Sequence, residues 1–176
     1  MRRSTGRWCR NCDRPWHRRH YRRQTQRSYL GLRSGQMSSI THPNPYASWE
    51  SRGFWEGAGR DQLVLQKCTT CGLVQHRPRG VCAHCLDSRG LEHFVASGRG
   101  LIYSYTVTEQ NQAKGFVEAC PYIMAYVTLD EGPRLLTVIV DCEPDAVSIG
   151  MPVAAGFASQ ERDDDELFAI PVFRLS

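Results

Sequence analysis

A chain of 176 residues with 41% hydrophobic content is long enough for one ordinary domain or two small ones, and rich enough to bury a core. Its longest apolar runs, such as Leu135–Val140, are strand-length, which excludes a helical bilayer span, and no apolar h-region with a small-residue cleavage site follows the N-terminus. The formal charge of +4 conceals an asymmetry: residues 1–36 hold eleven Arg, no Lys and one Asp, a net of +10, which leaves −6 for residues 37–176.

Residues 1–36 have almost no aliphatic side chains and no helical or strand period, so they cannot bury enough apolar surface to offset chain entropy and read as disordered. The favoured reading is a dispensable or non-native extension, because Met37 followed by "SSITHPNPYASWE" has the look of a chain start. A basic arm for nucleic acid or an anionic surface is a second reading, with Arg for phosphates and Trp and Tyr for stacking. A small zinc knot of Cys9, Cys12, His17 and His20 is a third, but the short Cys12–His17 spacing fits no finger pattern well.

Residues 37–60 form a polar lead-in and then a helix, with Trp49, Phe54 and Trp55 able to share one face before Gly57 and Gly59 end it. Residues 61–92 open with a short strand, "LVLQKC", that runs into a pair of cysteine knuckles. Residues 93–176 change character. "LIYSYTVTE", "YIMAYVTLD", "RLLTVIVDC", "PVAAGFAS" and "LFAIPVFRL" are rich in β-branched and aromatic residues and are separated by Gly, Pro and Asp turns. "LDEGPRLL" joins two of them as a hairpin, and "DAVSIG" suits a single turn. The expected fold is mainly β: an N-terminal helix, a rubredoxin-like zinc ribbon, then a five-stranded OB-fold barrel.

Cys68, Cys71, Cys82 and Cys85 form two C-x2-C knuckles separated by residues 72–81. In a reducing cytoplasm, where this chain is expected, paired cysteines serve metal sites more often than disulfides. Each knuckle turns its backbone so that two thiolates face one metal, and Gly72 supplies the positive φ that such a turn favours. The result is a closed tetrahedral thiolate cage for structural Zn2+, with no open position for a catalytic water. Rubredoxin-type iron would use the same four sulfurs and stays open as an alternative, while a thioredoxin-like redox pair lacks its βαβ context. With the cage full, His76 and His84 read as surface residues of the ribbon. Cys120 and Cys142 stand apart with no His nearby in sequence, and read as inert thiols.

Taken in order, "FWEGAGRDQLVLQKC", "CTTCGLVQHRPRGVCAHC" and "SGRGLIYSYTVTEQ…PYIMAYVTLDEGPRLLTVIV…IGMPVAAGF" resemble the DUF35 family of zinc-ribbon and OB-fold proteins that accompany thiolases. The resemblance covers residues 47–176 and does not include residues 1–36. It implies a non-catalytic, acyl-CoA-binding accessory subunit in hetero-oligomeric complex with a thiolase-fold enzyme of lipid, steroid or acyl-CoA metabolism. The partner supplies the nucleophilic cysteine. A CoA site needs cations and an aromatic or apolar wall, for which Arg77, Arg79, Arg99, Lys114 and Phe116 are the candidates, each Arg having a solvated surface charge as its plain alternative. "EQNQAKGFVEACPY" is the better-placed segment, being long for a connection between strands.

Two other classes compete. A nucleic-acid-binding zinc-ribbon and OB-fold module could stack bases on Tyr103 and Tyr105, but the −6 charge of residues 37–176 opposes phosphate binding. A free-standing enzyme would need a nucleophile–base pair that the sequence does not present. The run "ERDDDE" reads as the solvated tip of the last barrel hairpin, without the interleaved turn residues of a calcium loop.

Overall fold

A computed structural model describes residues 46–113, 116, 117, 119–161 and 167–176. The Arg-rich segment, with Cys9, Cys12, His17 and His20, lies outside them, as does Lys114. Among the described residues there is one α-helix, α1 (Arg52–Ala58), and none is long and apolar enough to cross a membrane.

Strands β1 (Val64–Cys68), β2 (Val74–Gln75) and β3 (Leu91–Val95) form an antiparallel sheet in the order β2-β1-β3. β4 (Arg99–Thr108), β5 (Tyr122–Leu129), β6 (Arg134–Ile139), β7 (Pro152–Glu161) and β8 (Leu167–Leu175) close a barrel in the order β4-β5-β6-β8-β7. All barrel neighbours are antiparallel except β6 and β8. The five strands read from the sequence are these five, each rich in β-branched and aromatic residues between turns, and β5 and β6 add the period-two alternation that buries one face. In β5 the inward set is Ile123, Ala125, Val127 and Leu129, and in β6 it is Leu135, Thr137 and Ile139.

β4 breaks that alternation. A bulge between Ile102 and Ser104 leaves Tyr103 without a partner on β5 and reverses the parity of the strand beyond it. Such a bend lets one long strand pair with β7 at its start and β5 along its length. The β6–β8 seam is short, with Ile139 opposite Phe173 and Val140 N–H donating to Phe173 O at 2.9 Å. Pro171 has no N–H to offer there, and the buried Thr137 hydroxyl donates to Pro171 O at 3.0 Å. The β5–β6 turn is the expected hairpin, closed by Leu129 N–H to Pro133 O at 3.0 Å, and a 3-10 turn occupies Pro144–Ala146. β7 and β8 pair up to Glu161 opposite Leu167, and the acidic run between them lies outside the described residues.

Two expectations about the helix need correction. Trp49 does not share its face: it sits in the preceding turn, 72% exposed, with its ring edge against Gly80. Ser51 donates through its N–H and its hydroxyl to Ser48 O, both at 3.2 Å, and this local capture holds the chain out of helix until Arg52. Nor does Gly57 end the helix. It is buried inside α1, and Gly59 is the cap residue. A Cβ at Gly57 would collide with Val64 Cγ2 and lie 3.0 Å from Gln62 O, so this glycine sets the contact between α1 and β1. Phe54, Leu63 and Leu65 join Ile102, Val127 and Phe173 in one buried cluster.

Candidate metal centre and the surfaces around it

β1 delivers Cys68 at its end, and the chain turns back at once. Gly72 N–H donates to Cys68 O at 2.8 Å, with Gly72 at φ +76° as expected. The second knuckle repeats the device: Leu86 N–H donates to Cys82 O at 3.1 Å, with Leu86 at φ +61°. Positive φ is costly for a leucine, and its appearance at the position matching Gly72 marks the two knuckles as the same turn. The knuckles are stitched together by Thr70, whose hydroxyl donates to Asp87 Oδ2, and by Thr69 N–H donating to Gly90 O at 2.7 Å.

The four sulfurs all lie within 4.8 Å of one another. Cys68 Sγ to Cys85 Sγ is 3.6 Å and Cys71 Sγ to Cys82 Sγ is 3.5 Å. A tetrahedron with Zn–S bonds of about 2.3 Å has edges of about 3.8 Å, so the set fits one such ion. Backbone N–H groups of Cys85 and then His84 hold the Cys82 thiol down at about 6, as a thiolate ligand requires. Cys85, despite the Asp87 N–H, is pushed up to about 12 by desolvation and by the neighbouring thiols Cys71, Cys68 and Cys82. Only a cation lets all four ionise together.

A buried polar pair missed in the sequence holds the loop between the knuckles. Gln66 on β1 faces Gln75 on β2, and Gln75 Nε2 donates to Gln66 Oε1 at 2.5 Å. Gln66 also accepts from Arg79 N and donates to Arg79 O, each at 3.0 Å, and Gln75 Oε1 accepts from Ala83 N at 2.9 Å. The only signal in the sequence is Gln66 between Leu65 and Lys67 in a short strand, which does not by itself mark a buried pair.

His84 is exposed, as expected. His76 is half-buried and not a free surface residue: its ring packs 5.2 Å from Phe54, and its Nδ1 is buried without a hydrogen-bond partner. Burial, and then the Arg77 charge, lower its pKa to about 4. Cys120 donates to Phe116 O at 3.4 Å, Cys142 packs against the barrel core, and desolvation raises both thiols.

The CoA candidates are dispersed. Arg77 and Arg79 are exposed on the ribbon loop. Arg99 begins β4 and is paired with Asp130 at 3.5 Å, both well exposed. Phe116 lies beyond the other end of β4, its ring 6.3 Å from Tyr122. At about 3.3 Å per residue, the strand between Arg99 and the β4–β5 connection spans about 30 Å.

Two family models match. The "ChsH2, rubredoxin-like zinc ribbon domain" covers residues 55–92 and the "ChsH2, C-terminal OB-fold domain" covers residues 95–158. A probable enoyl-CoA hydratase alpha subunit of Thermomonospora curvata is 35% identical over 139 residues, 79% of this chain but 41% of the relative, so the chain spans about two fifths of that protein. A DUF35 domain-containing scaffold protein of Methanocaldococcus jannaschii is 36% identical over 104 residues, 59% of this chain and 73% of the relative. A solved structure described as "Ltp2-ChsH2(DUF35) aldolase" has a chain 34% identical, with a TM-score of 0.65, covering 75% of this chain and 98% of its own.

Proposed function

This chain belongs to the DUF35 family, and from that membership we propose that it is a non-catalytic accessory subunit working with a thiolase-fold enzyme on an acyl-CoA. The observation that carries the reading is the likeness to the chain of the Ltp2-ChsH2(DUF35) aldolase over 98% of that chain's length. The hydratase alpha subunit among its relatives supports CoA-linked chemistry. The four-cysteine centre acts as a zinc staple, since a thiolate shell of this kind has no position left for substrate or water. Cys120 and Cys142 do not resemble nucleophiles, because an activated cysteine needs a lowered pKa and desolvation raises theirs.

CoA binding then belongs to the assembled complex. Arg77 and Arg79 lie on the ribbon loop and Phe116 lies beyond the far end of β4, and we take them as two separate groups. One of the two groups lines the phosphate end of a channel that the partner completes. Residues 1–36 are a dispensable tail on this reading, and the complex is cytoplasmic.

Co-expression with the thiolase-fold enzyme encoded beside it, followed by size-exclusion chromatography and a CoA-release assay, tests the proposal. A stable hetero-oligomer should form and turn over an acyl-CoA, while this chain alone releases none. If the chain elutes alone and the enzyme is fully active without it, the reading is wrong.

A further inference from the structure

The outward side of β4, β5 and β6 has a composition that the barrel core does not call for. The strand register sets Leu101, Thr128 and Arg134 in one row across the three strands, and Ser104, Tyr126 and Leu136 in the next. Thr106, Met124 and Val138 make a third row. The bulged Tyr103 falls between the first two rows and lies under the Arg134 guanidinium, whose Cζ is 3.5 Å from the ring centroid. Leu101 and Tyr103 are each 50% exposed, Tyr126 46% and Leu136 45%, so four large apolar side chains stand together in solvent.

Scattered exposed apolar residues are ordinary on any protein, but a contiguous group is not. The charge pattern adds direction. None of these ten positions is Asp or Glu, although residues 37–176 carry a net −6. Arg134 has no carboxylate partner among the described residues, in contrast to Arg99 with Asp130 and Arg174 with Asp141. A guanidinium stacked on a tyrosine keeps its N–H edge free, and that edge is shaped to grip a carboxylate with two parallel bonds. Tyrosine and arginine are also the residue types that dominate binding energy at the centres of protein interfaces.

We infer that the outer face of β4–β5–β6 is the docking surface for the enzyme partner, which meets it with an apolar patch and a carboxylate aimed at Arg134. This rests on the accessory-subunit reading and adds the side of the barrel that is used. Charge favours this occupant over a second copy of the chain: a two-fold pairing of the face would bring Arg134 onto a surface without a carboxylate to receive it. It favours it over nucleic acid as well, since Arg134 is the one basic residue among the ten positions of this face and gives little phosphate neutralisation.

The test measures affinity for the co-expressed thiolase-fold enzyme in the wild type and in Arg134→Glu, Arg134→Ala, Leu136→Asp and Tyr126→Ala, with Glu92→Lys on β3 as a distant control. All of these positions face solvent, so zinc content and melting temperature should match the wild type. Arg134→Ala guards against any misfolding of the charged variants. Arg134→Glu and Leu136→Asp should each weaken binding at least about tenfold, Arg134→Ala and Tyr126→Ala less, and Glu92→Lys not at all. Folded variants that bind like the wild type overturn the docking face and leave the accessory-subunit reading standing. A wild type that does not bind the enzyme overturns both. If the isolated chain is a dimer that Leu136→Asp splits, a second copy occupies the face and the inference fails.

Discussion

Gly57 fixes how closely α1 approaches β1, and its removal can be weighed against a neighbour that does no such work. Alanine at Gly57 gains helix propensity of about 1 kcal/mol but pushes a methyl into Val64 and Gln62 O, an overpacking of about 1–3 kcal/mol. Gly57→Ala should therefore destabilise by up to about 2 kcal/mol, while Gly59→Ala, exposed at φ −64°, should be neutral or slightly stabilising. Chemical denaturation at fixed free zinc checks the pair, and equal effects would remove the packing role from Gly57. His76 gives a pH signature. Its folded pKa of about 4 lies below the ordinary value of 6.5, so the unfolded chain binds more protons between the two. His76 is neutral in both states above pH 6.5, and stability is lost as pH falls from 6.5 towards 4, by up to about 3 kcal/mol. His76→Phe keeps the packing on Phe54 and removes the titration. The stability difference between the two proteins should shift in favour of the variant by about 2–3 kcal/mol from pH 7 to pH 4, and a constant difference would refute the buried neutral imidazole. At this scale the sequence was legible where spacing carries the chemistry, as with the cysteines and Gly72. It was silent where the folding-back of the chain decides, as Val64 does for Gly57 and Phe54 for His76.

Among the elements, the ribbon depends on its metal. The β2-β1-β3 sheet has strands of two, five and five residues, and the two-residue β2 gives the loop between the knuckles little ladder to hold it. A structural zinc can contribute on the order of 10 kcal/mol to such a segment, and a cage that loses one thiolate loses most of that. Cys71→Ser should give metal-free or insoluble protein, against about one zinc per chain in the wild type by elemental analysis; soluble, zinc-loaded Cys71→Ser would refute the four-thiolate site. The same measurement decides zinc against iron. β5 and β6 were readable because alternation is local and each states its own inward face. β2 and β3 were not singled out, because their identity comes from pairing with β1 and not from a pattern of their own. The bulge at Tyr103 was hidden for the same reason: "LIYSY" alternates on paper, and only its pairing with β5 reveals the break. The docking face inherits this, since its rows exist only in the register of three strands. The CoA candidates have only residue type in common, and residue type carries no distance.

The zinc ribbon and barrel share a core, which makes the described part of the molecule one thermodynamic body. Phe54 from α1 and Leu63 and Leu65 around β1 are 5%, 3% and 0% exposed, and their cluster includes Ile102, Val127 and Phe173 of the barrel. Re-exposing side chains of this size costs about 1.5–3 kcal/mol each, so the barrel cannot release the ribbon without losing part of its own interior. α1 is the bridge, packed against β1 on one side and β8 on the other. A domain pair joined by a linker alone would melt in two steps, with the barrel indifferent to the metal. Here zinc bound to the ribbon should stabilise the barrel as well, by mass action on the common folded state. Scanning calorimetry should show one transition for the zinc-loaded protein. After chelation it should show one transition at a markedly lower temperature, or none, and no surviving peak at the original position. Near-ultraviolet circular dichroism of the barrel tyrosines should be lost in step with the zinc. A barrel transition that persists unchanged after the metal is removed would mean that the shared cluster does not couple the two parts.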